Sequence, residues 1–423
     1  MMTPAGDTLP RRAWLVVGLL WLAGCLNYLD RVMITTMRSS VLEAIPMTDA
    51  QFGLLTTIFL LLYAVLSPFA GFLADRFGRT RVIVGSVIAW SVVTWLTAYA
   101  RTFEQLLLSR VLLAVTEVGF IPAAIALIAD YHRTTTRSLA NGLNMSGLMA
   151  GSALGGLGGL LADHNAWGLP FIVFGQAGLL LALVLIILLR DAPRVTVVGK
   201  PVASSDIRFF DACKSLLGQR DFLIVIVYWS FLGTAAWSVL AWMPTYLKEH
   251  FTLTQGKAGL TGTLSLQLAS LVGVIIGGFW ADRWSRRSER APVYVVMVGL
   301  AMAVPSILLI CSTNVLGWAV VGLVGFGLFK SFADTNMMPI LTLICDSRYR
   351  ATAWGILSLC ACTIGGISIY VGGMLRDANV SVARIFQFGA GGFVVSLFLL
   401  FALRAGKPKP LSVGAGRSTE LAG

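Results

Sequence analysis

The sequence predicts an all-α integral membrane protein with twelve transmembrane helices arranged as two pseudo-symmetric six-helix bundles. Of its 423 residues, 57% are hydrophobic and only 12% are charged, so most of the chain must face something other than water. Apolar windows of roughly 20 residues recur along the chain, and each can cross a hydrocarbon core of ~30 Å as a helix. The windows lack the alternation of apolar and polar residues that is typical of barrel strands. They must therefore form helices, which hydrogen-bond their own backbone N–H and C=O groups within the lipid.

The twelve apolar windows give the predicted spans in chain order. They cover residues 13–37, 51–74, 82–100, 104–130, 138–162, 169–189, 221–246, 258–281, 292–311, 316–345, 351–375 and 382–403. Six spans precede and six follow the longest polar interval, which reads as a linker with a short helical piece near FFDACKSLL. We expect an N-terminal bundle at residues 1–190, a linker at 191–220 and a C-terminal bundle with a short tail at 221–423.

The placement of the cations predicts the orientation. With these spans, 23 Lys and Arg residues lie on the side that holds both termini, six on the opposite side and three inside the membrane. The positive-inside rule therefore puts both termini in the cytoplasm. The net charge of +12 is then a topological signal, and no nucleic-acid partner is expected. Short loops on the opposite side indicate a multi-pass protein of a bacterial inner membrane.

The two halves of the sequence repeat each other. GFLADRFGRTR, Gly71 to Arg81, follows span two, and GFWADRWSRRS, Gly278 to Ser288, follows span eight. RSLANG, Arg137 to Gly142, opens span five, and RATAWG, Arg350 to Gly355, opens span eleven. Matches at a constant offset predict parallel repeats related by an axis along the membrane normal, which is a transporter architecture.

GFLADRFGRTR resembles the loop signature of the major facilitator superfamily, and the span number and repeat extend that resemblance over essentially the whole chain. The resemblance implies a cytoplasmic gate. Asp75 can accept hydrogen bonds from a neighbouring helix N-terminus, while Arg76, Arg79 and Arg81 can bind lipid phosphate or carboxylates. The predicted gate residues are Gly71, Asp75, Arg76, Gly78, Arg79, Asp282 and Arg283.

Charges inside the apolar spans are the strongest candidates for function. A charge at mid-membrane costs at least ~2.5 kcal/mol, so each needs a partner or a water-filled cavity. Arg110 and Glu117 are seven residues apart on span four and share a helix face. Asp30 and Arg31 are adjacent, diverge by ~100° and cannot both face one partner. These charges either pair to hold helices together or serve transport.

Span ten carries another cation and another carboxylate. Lys330 and Asp334 are four residues apart and can form an intrahelical pair. Aligning Pro339 with Pro122 in the repeat places Asp334 opposite Glu117. Asp334 is therefore either a structural partner of the lysine or a further carboxylate facing a substrate cavity.

NYLDR in span one and RVLLAVTE in span four are similar to motifs of the anion:cation symporter branch, which imports sugar acids, hexuronates, phthalate-like acids and other organic anions. That resemblance implies Asp30 and Glu117 as proton-linked sites, with Arg31 and Arg110 as anion-binding or gating cations. Spinster-like lysolipid transporters show the same pattern. We therefore predict proton-coupled symport of a small organic anion, with lysolipid or amphiphile export as the alternative and a transporter-like sensor as a weaker third.

Uncharged polar residues and glycines complete the predicted site. Tyr28 belongs to the span-one motif, and Asn144, Gln267 and Asn336 can recognise substrate hydroxyls. On span five, glycines recur every fourth residue and allow close approach of a facing helix, which we expect to come from the other half. This ladder consists of Gly147, Gly151, Gly155 and Gly159.

Several chemistries are excluded. The six cysteines show no CxxC spacing, and the sequence contains no HExxH or GxSxG motif, so neither a metal site nor a hydrolase is expected. The prediction is a non-enzyme without cofactor or metal, driven by a proton gradient. Its expected partners are the organic anion, protons and membrane lipid, and we expect a monomer.

Overall fold

The computed structural model describes residues 11–132, 134–163, 166–191, 209–345 and 349–403. Over these ranges the regular structure is helical, with no strand. The helices are α1 (Arg11–Thr36), α2 (Arg38–Ala44), α3 (Asp49–Phe77), α4 (Arg79–Thr97), α5 (Phe103–Glu117), α6 (Phe120–Tyr131), α7 (Thr134–Leu154), α8 (Gly156–Asp163), α9 (Leu169–Leu188), α10 (Phe209–Leu217), α11 (Arg220–Phe251), α12 (Gln255–Ser285), α13 (Ala291–Ser312), α14 (Leu316–Ile344), α15 (Arg350–Asp377) and α16 (Val382–Phe401). Twelve segments are long and apolar enough to span a membrane, which confirms the predicted number.

Two of the spans are broken, which the hydropathy pattern did not reveal. Span four comprises α5 and α6, separated where Pro122 has no N–H to bond the carbonyl of Val118. Span five comprises α7 and α8, and the break is centred on Gly155. There the backbone tightens, because Gly155 donates to Ser152 at 3.3 Å and Gly158 donates to Gly155 at 3.1 Å.

The chain places its helix ends on two membrane faces. We call the face where α1 begins and α16 ends the terminal face, and the other the distal face. We call α1 to α9 the N-terminal half and α11 to α16 the C-terminal half. Gly78 makes the turn between α3 and α4 on the terminal face with φ of 91°, a left-handed value that glycine adopts without strain.

The glycine ladder packs mainly within the N-terminal half, so the expectation of a partner from the other half is corrected. A Cβ on Gly147 would lie 2.6 Å from the Trp21 carbonyl oxygen, and one on Gly151 would overlap the Cys25 carbonyl oxygen. Both partners belong to α1, which lies directly against α7. Only toward the distal end does the ladder also reach α12, where a Cβ on Gly159 would approach Gln255.

The repeat seen in the sequence recurs as a matched hydrogen bond. Arg137 Nη2, in the first turn of α7, donates to the carbonyl of Ala129 near the end of α6 at 2.9 Å. Arg350 Nη2, at the start of α15, donates to the carbonyl of Thr342 near the end of α14 at 3.5 Å. Each arginine thus reaches back eight residues to the end of the preceding helix. Equivalent arginines of the two halves therefore bond the end of the preceding helix in the same way.

The halves contact each other through α3 with α15 and through α7 and α8 with α12. Thr57 Oγ1 donates to the Gly366 carbonyl at 2.6 Å, and Thr263 Oγ1 donates to the Ala153 carbonyl at 2.8 Å. These hydrogen bonds lie between the distal face and the membrane centre. The molecule is therefore closed on its distal side.

Candidate transport site

A central cavity of about 420 Å³ lies between the halves at the level where their distal contacts end. Its walls come from α1, α7, α11, α12, α14 and α15, so both halves contribute. The predicted site residues that line it are Tyr28, Gln267 and Asp334, together with Lys330. The other predicted polar and charged site residues are placed outside its lining, namely Asp30, Arg31, Arg110, Glu117, Asn144 and Asn336.

A buried ion pair joins Arg31 on α1 to Glu117 at the end of α5. Arg31 Nη2 donates to Glu117 Oε2 at 2.8 Å and to Asn27 Oδ1 at 3.2 Å. Arg31 is 7% exposed and Glu117 is 0% exposed, so both charges are removed from water. Removing one partner from such a pair costs about 3–5 kcal/mol, because the other is left uncompensated.

Three aromatic rings enclose the Arg31 guanidinium. The ring centroids of Tyr28, Phe59 and Tyr63 lie 4.6, 4.7 and 4.6 Å from its central carbon. Ring faces at this distance stabilise a desolvated cation. Sequence analysis selected Tyr28 but not Phe59 or Tyr63. Their spacing of four residues on α3, which puts both on one helix face, is the signal that could have identified them.

Asp30 and Arg110 lie in the same buried region of the N-terminal half. Thr94 Oγ1 donates to Asp30 Oδ2 at 3.2 Å, and Asp30 is 2% exposed. Arg110 is also 2% exposed, with its guanidinium 5.7 Å from the centre of the Phe171 ring. It interacts electrostatically with both Asp30 and Glu117. We call Asp30, Arg31, Arg110 and Glu117 the buried charge cluster.

The three predicted amides have different surroundings. Gln267 lines the cavity and donates from Nε2 to Ser152 Oγ at 2.7 Å, across the two halves. Asn336 donates to the carbonyls of Gly277 at 3.3 Å and Phe332 at 2.8 Å, and so joins α14 to α12. Asn144 is 1% exposed, and its amide has no hydrogen-bond partner among the described residues. Gln267 alone of the three can reach a molecule in the cavity.

Lys330 and Asp334 form the intrahelical pair that their spacing predicts. Lys330 Nζ and Asp334 Oδ2 are 2.5 Å apart, and their side chains are 20% and 30% exposed. Both line the cavity, which contrasts with the enclosed cluster of the N-terminal half. The two residues thus form an ordinary ion pair within one helix, and both side chains are accessible from the cavity.

The predicted gate residues lie on the terminal face. Arg79 at the start of α4 pairs with Asp130 at the end of α6 and donates to the Ala126 carbonyl at 3.1 Å. Asp191 accepts from the backbone N–H of Thr80 at 2.9 Å. These contacts join helices within the N-terminal half. The side chains of Arg76, Asp282 and Arg283 are exposed. The surroundings of Gly71 and of the Asp75 side chain lie outside what the structure describes.

Comparison with known proteins decides the family. The sequence model of the Major Facilitator Superfamily matches residues 20–369 and 246–420. The chain belongs to the Major Facilitator Superfamily. It is therefore a membrane transporter and not an enzyme, as predicted.

Relatives of this superfamily member carry names from more than one transport class. An MFS-type efflux pump of Mycolicibacterium smegmatis is 27% identical over 396 residues, covering 93% of this chain and 90% of that protein. The probable sulfoacetate transporter SauU of Cupriavidus necator is 27% identical over 407 residues, covering 91% and 93%. The latter supports the predicted resemblance to organic anion transporters.

A solved structure shows the same fold. It is that of a bacterial homologue of the human lysosomal transporter spinster, in an inward-facing and unoccupied conformation. It is 23% identical, covers 95% of this chain and 96% of its own, and superimposes with a TM-score of 0.77. The predicted fold class is thereby confirmed.

The superfamily member closes its distal face with ion pairs that sequence analysis missed. Arg376 donates from Nε to Asp49 at 3.0 Å and from Nη2 to Glu249 at 2.8 Å, while Arg38 pairs with the same two acids. Asp377 accepts from the backbone N–H groups of Asp49 and Ala50, both at 2.9 Å. We call Arg38, Asp49, Glu249 and Arg376 the distal ion-pair cluster. Sequence analysis counted Arg38 and Arg376 only among the six cations on the side opposite the termini. Because cations are scarce on that side, each of them could have been examined for a specific partner.

Replacing Arg376 by Gln should favour opening of the distal face. The change removes one of the two cations, Arg38 being the other, that join Asp49 of one half to Glu249 of the other. A charged hydrogen bond contributes about 1.5 kcal/mol, or roughly tenfold. Electron–electron distance measurements between spin labels at exposed positions 101 and 379, in a background without native cysteines, should show a larger population of long distances. The control is Lys257→Gln, an exposed cation at the start of α12. Identical distributions in both variants would contradict a closing role.

Proposed function

We propose that this transporter takes up a small organic anion together with protons, by alternating access of a cavity between its two halves. Sugar acids and hexuronates, the class implied by the sequence resemblance, are the first substrates to test. The observation that carries the proposal is the position of Tyr28. Its ring lies 4.6 Å from the Arg31 guanidinium and also forms part of the cavity wall. Tyr28 therefore contacts both the guanidinium of the buried Arg31–Glu117 pair and the cavity.

Charge balance then links a proton to an anion. In the ion pair, the Arg31 charge is neutralised by Glu117 at 2.8 Å. Arginine keeps its proton, so protonation of Glu117 leaves a cation behind the cavity wall. An anion in the cavity compensates that charge, and a low-dielectric surrounding makes the attraction strong. When the anion and the proton leave, the ion pair forms again. Asp30 and Asp334 are the further carboxyl groups that we propose for proton coupling.

Rocking of residues 1–190 against 221–423 would alternate access to the cavity. The distal contacts between the halves would separate, while exposed gate residues such as Asp282 and Arg283 would form contacts on the terminal face. We place the terminal face in the cytoplasm and the protein in a bacterial inner membrane. A charge moved inward down ~100 mV gains about 2.3 kcal/mol. More than one proton per monoanion would therefore concentrate substrate electrogenically.

Export of a lysolipid or another amphiphile is the second candidate. The observation that favours it is the apolar share of the cavity wall, which includes Met145, Leu148 and Leu240. The sequence relatives include a protein named spinster, which supports the amphiphile candidate as SauU supports the anion. Both candidates use the same cavity and differ in the substrate that it accepts.

Uptake into proteoliposomes separates the two candidates. A panel of radiolabelled sugar acids, small carboxylates and one lysophospholipid is offered with and without an inward proton gradient. We expect one carboxylate to accumulate, and a gradient of about one pH unit to raise its accumulation up to about tenfold per coupled proton. Movement of the lysophospholipid with no gradient-driven uptake of any acid would contradict anion symport.

A further inference from the structure

The central cavity contains a cation that is not part of the buried charge cluster. Lys330 is the one Lys or Arg among the described residues that line it. Arg31 is enclosed by three rings and Glu117, and Arg110 lies against Phe171 outside the lining. In this conformation, an anion in the cavity therefore meets Lys330 first.

The partner of Lys330 is one that an incoming anion can replace. Asp334 lies one turn away on the same helix, at 2.5 Å, and both side chains are partly exposed. Pairs at this spacing on an accessible helix face contribute little to stability, because water competes for both charges. A carboxylate of a ligand offers Lys330 the same hydrogen-bond geometry as Asp334 does. Exchange of one carboxylate for another therefore leaves the lysine fully paired.

The remaining walls limit the rest of the ligand. Trp229, Trp237 and Phe326 present large apolar surfaces to the cavity. Its uncharged polar groups are few: the hydroxyls of Tyr28, Ser152, Ser270 and Ser358 and the amide of Gln267. Of these, Gln267 donates to Ser152 at 2.7 Å and Ser270 donates to the Gly327 carbonyl. Several hydroxyls on one ligand would compete with these bonds or stay unpaired, and unpaired buried hydroxyls are costly. The walls therefore fit an apolar body better than a polyhydroxylated one.

Resting on the anion transport proposed above, we propose that Lys330 binds the carboxylate of an acid with an aromatic or aliphatic body, which displaces Asp334. The ~420 Å³ cavity is in the range of small-molecule sites. The aromatic side chains pack on the body, and the lysine fixes its charged end. Asp334, once displaced, remains in the lining of the cavity and lies near Tyr228. No other cation lines the cavity among the described residues, so the ligand and Asp334 compete for Lys330.

Calorimetric titration of the purified full chain with 2-naphthoate tests this assignment. We expect Lys330→Met to weaken binding by about tenfold to a hundredfold, the loss of one charged hydrogen bond. Lys330→Arg should retain most of the affinity, and Asp334→Asn should bind more tightly because the competing carboxylate is gone. The matched control is Lys257→Met, which removes an exposed lysine far from the cavity. In the wild type, 2-naphthamide and gluconate should bind much more weakly than 2-naphthoate.

Each departure from this pattern overturns a defined part of the proposal. Equal affinity of Lys330→Met and Lys257→Met for 2-naphthoate would show that Lys330 does not bind the carboxylate. Weaker binding by Asp334→Asn would contradict the displacement, and preference for gluconate would contradict the apolar body. Thermal unfolding of each variant reports whether it is folded. Binding is measured separately from uptake, so failure of proton-driven anion uptake, with 2-naphthoate still bound, would reject only the proposed function.

Discussion

Replacing Glu117 by Gln should abolish proton-driven accumulation of substrate while exchange of substrate across the membrane continues. Glutamine keeps an oxygen that can accept from Arg31 Nη2, now 2.8 Å from the carboxylate, but it neither binds nor releases a proton. Arg31 therefore stays uncompensated, and an anion in the cavity is balanced without proton movement. We expect accumulation to fall to the level without a gradient, about a tenfold loss for a gradient of one pH unit and one proton.

The matched control for this experiment is Glu104→Gln, which changes an exposed glutamate at the start of the same helix. It should accumulate substrate as the wild type does. Exchange is measured in liposomes preloaded with unlabelled substrate. Gradient-driven accumulation that survives Glu117→Gln would assign coupling to another carboxyl, with Asp30 and Asp334 as the next variants. Loss of both accumulation and exchange in a folded protein would place Glu117 in substrate binding or structure instead.

Replacing Gly151 by Ala should destabilise the N-terminal half strongly. An added Cβ would overlap the carbonyl oxygen of Cys25 and lie 2.9 Å from its Cα. The clash is with backbone, so no side-chain rotation relieves it and α1 must move away from α7. Overpacking of a core costs about 1–3 kcal/mol, and this position should reach the upper end. The midpoint of thermal unfolding in detergent should fall well below that of the wild type.

Gly142→Ala supplies the control on the same helix. Nothing lies within 4 Å of a Cβ built there, and alanine has a higher helix propensity than glycine by about 1 kcal/mol. This variant should unfold at or slightly above the wild-type midpoint. Equal midpoints for Gly142→Ala and Gly151→Ala would show that the contact between α1 and α7 adjusts at little cost.

Local sequence patterns were sufficient to predict the twelve membrane spans and the ion pair within α14. Hydropathy identified the twelve membrane segments, because their composition must match the lipid whatever their neighbours are. The Lys330–Asp334 pair was also predictable, since four residues on one helix fix the separation of two side chains. The breaks at Gly119 and Gly155 were not, because both segments are apolar on either side and a proline alone does not decide a break. Pro122 lies at one break, whereas Pro244, Pro305 and Pro339 lie inside continuous helices.

The candidate site was only partly predictable. Four of the span charges, Asp30, Arg31, Arg110 and Glu117, lie buried together in the N-terminal half. The sequence selected them individually but left the partner of Arg31 open. Its contacts with Glu117, 86 residues away, and with Phe59 and Tyr63 depend on how α1, α3 and α5 pack. The glycine ladder shows the same dependence: small residues indicate close approach, but not which helix approaches.

The sequence by itself determined the class of molecule, the number of spans, the internal repeat and the identity of the costly charges, because each follows from composition or from spacing along one helix. The tertiary structure alone decided which charges face the cavity and which are enclosed. It also revealed the distal ion-pair cluster, whose members come from residues 38, 49, 249 and 376. Contacts between helices distant in sequence depend on the orientation of whole helices, which local pattern does not encode.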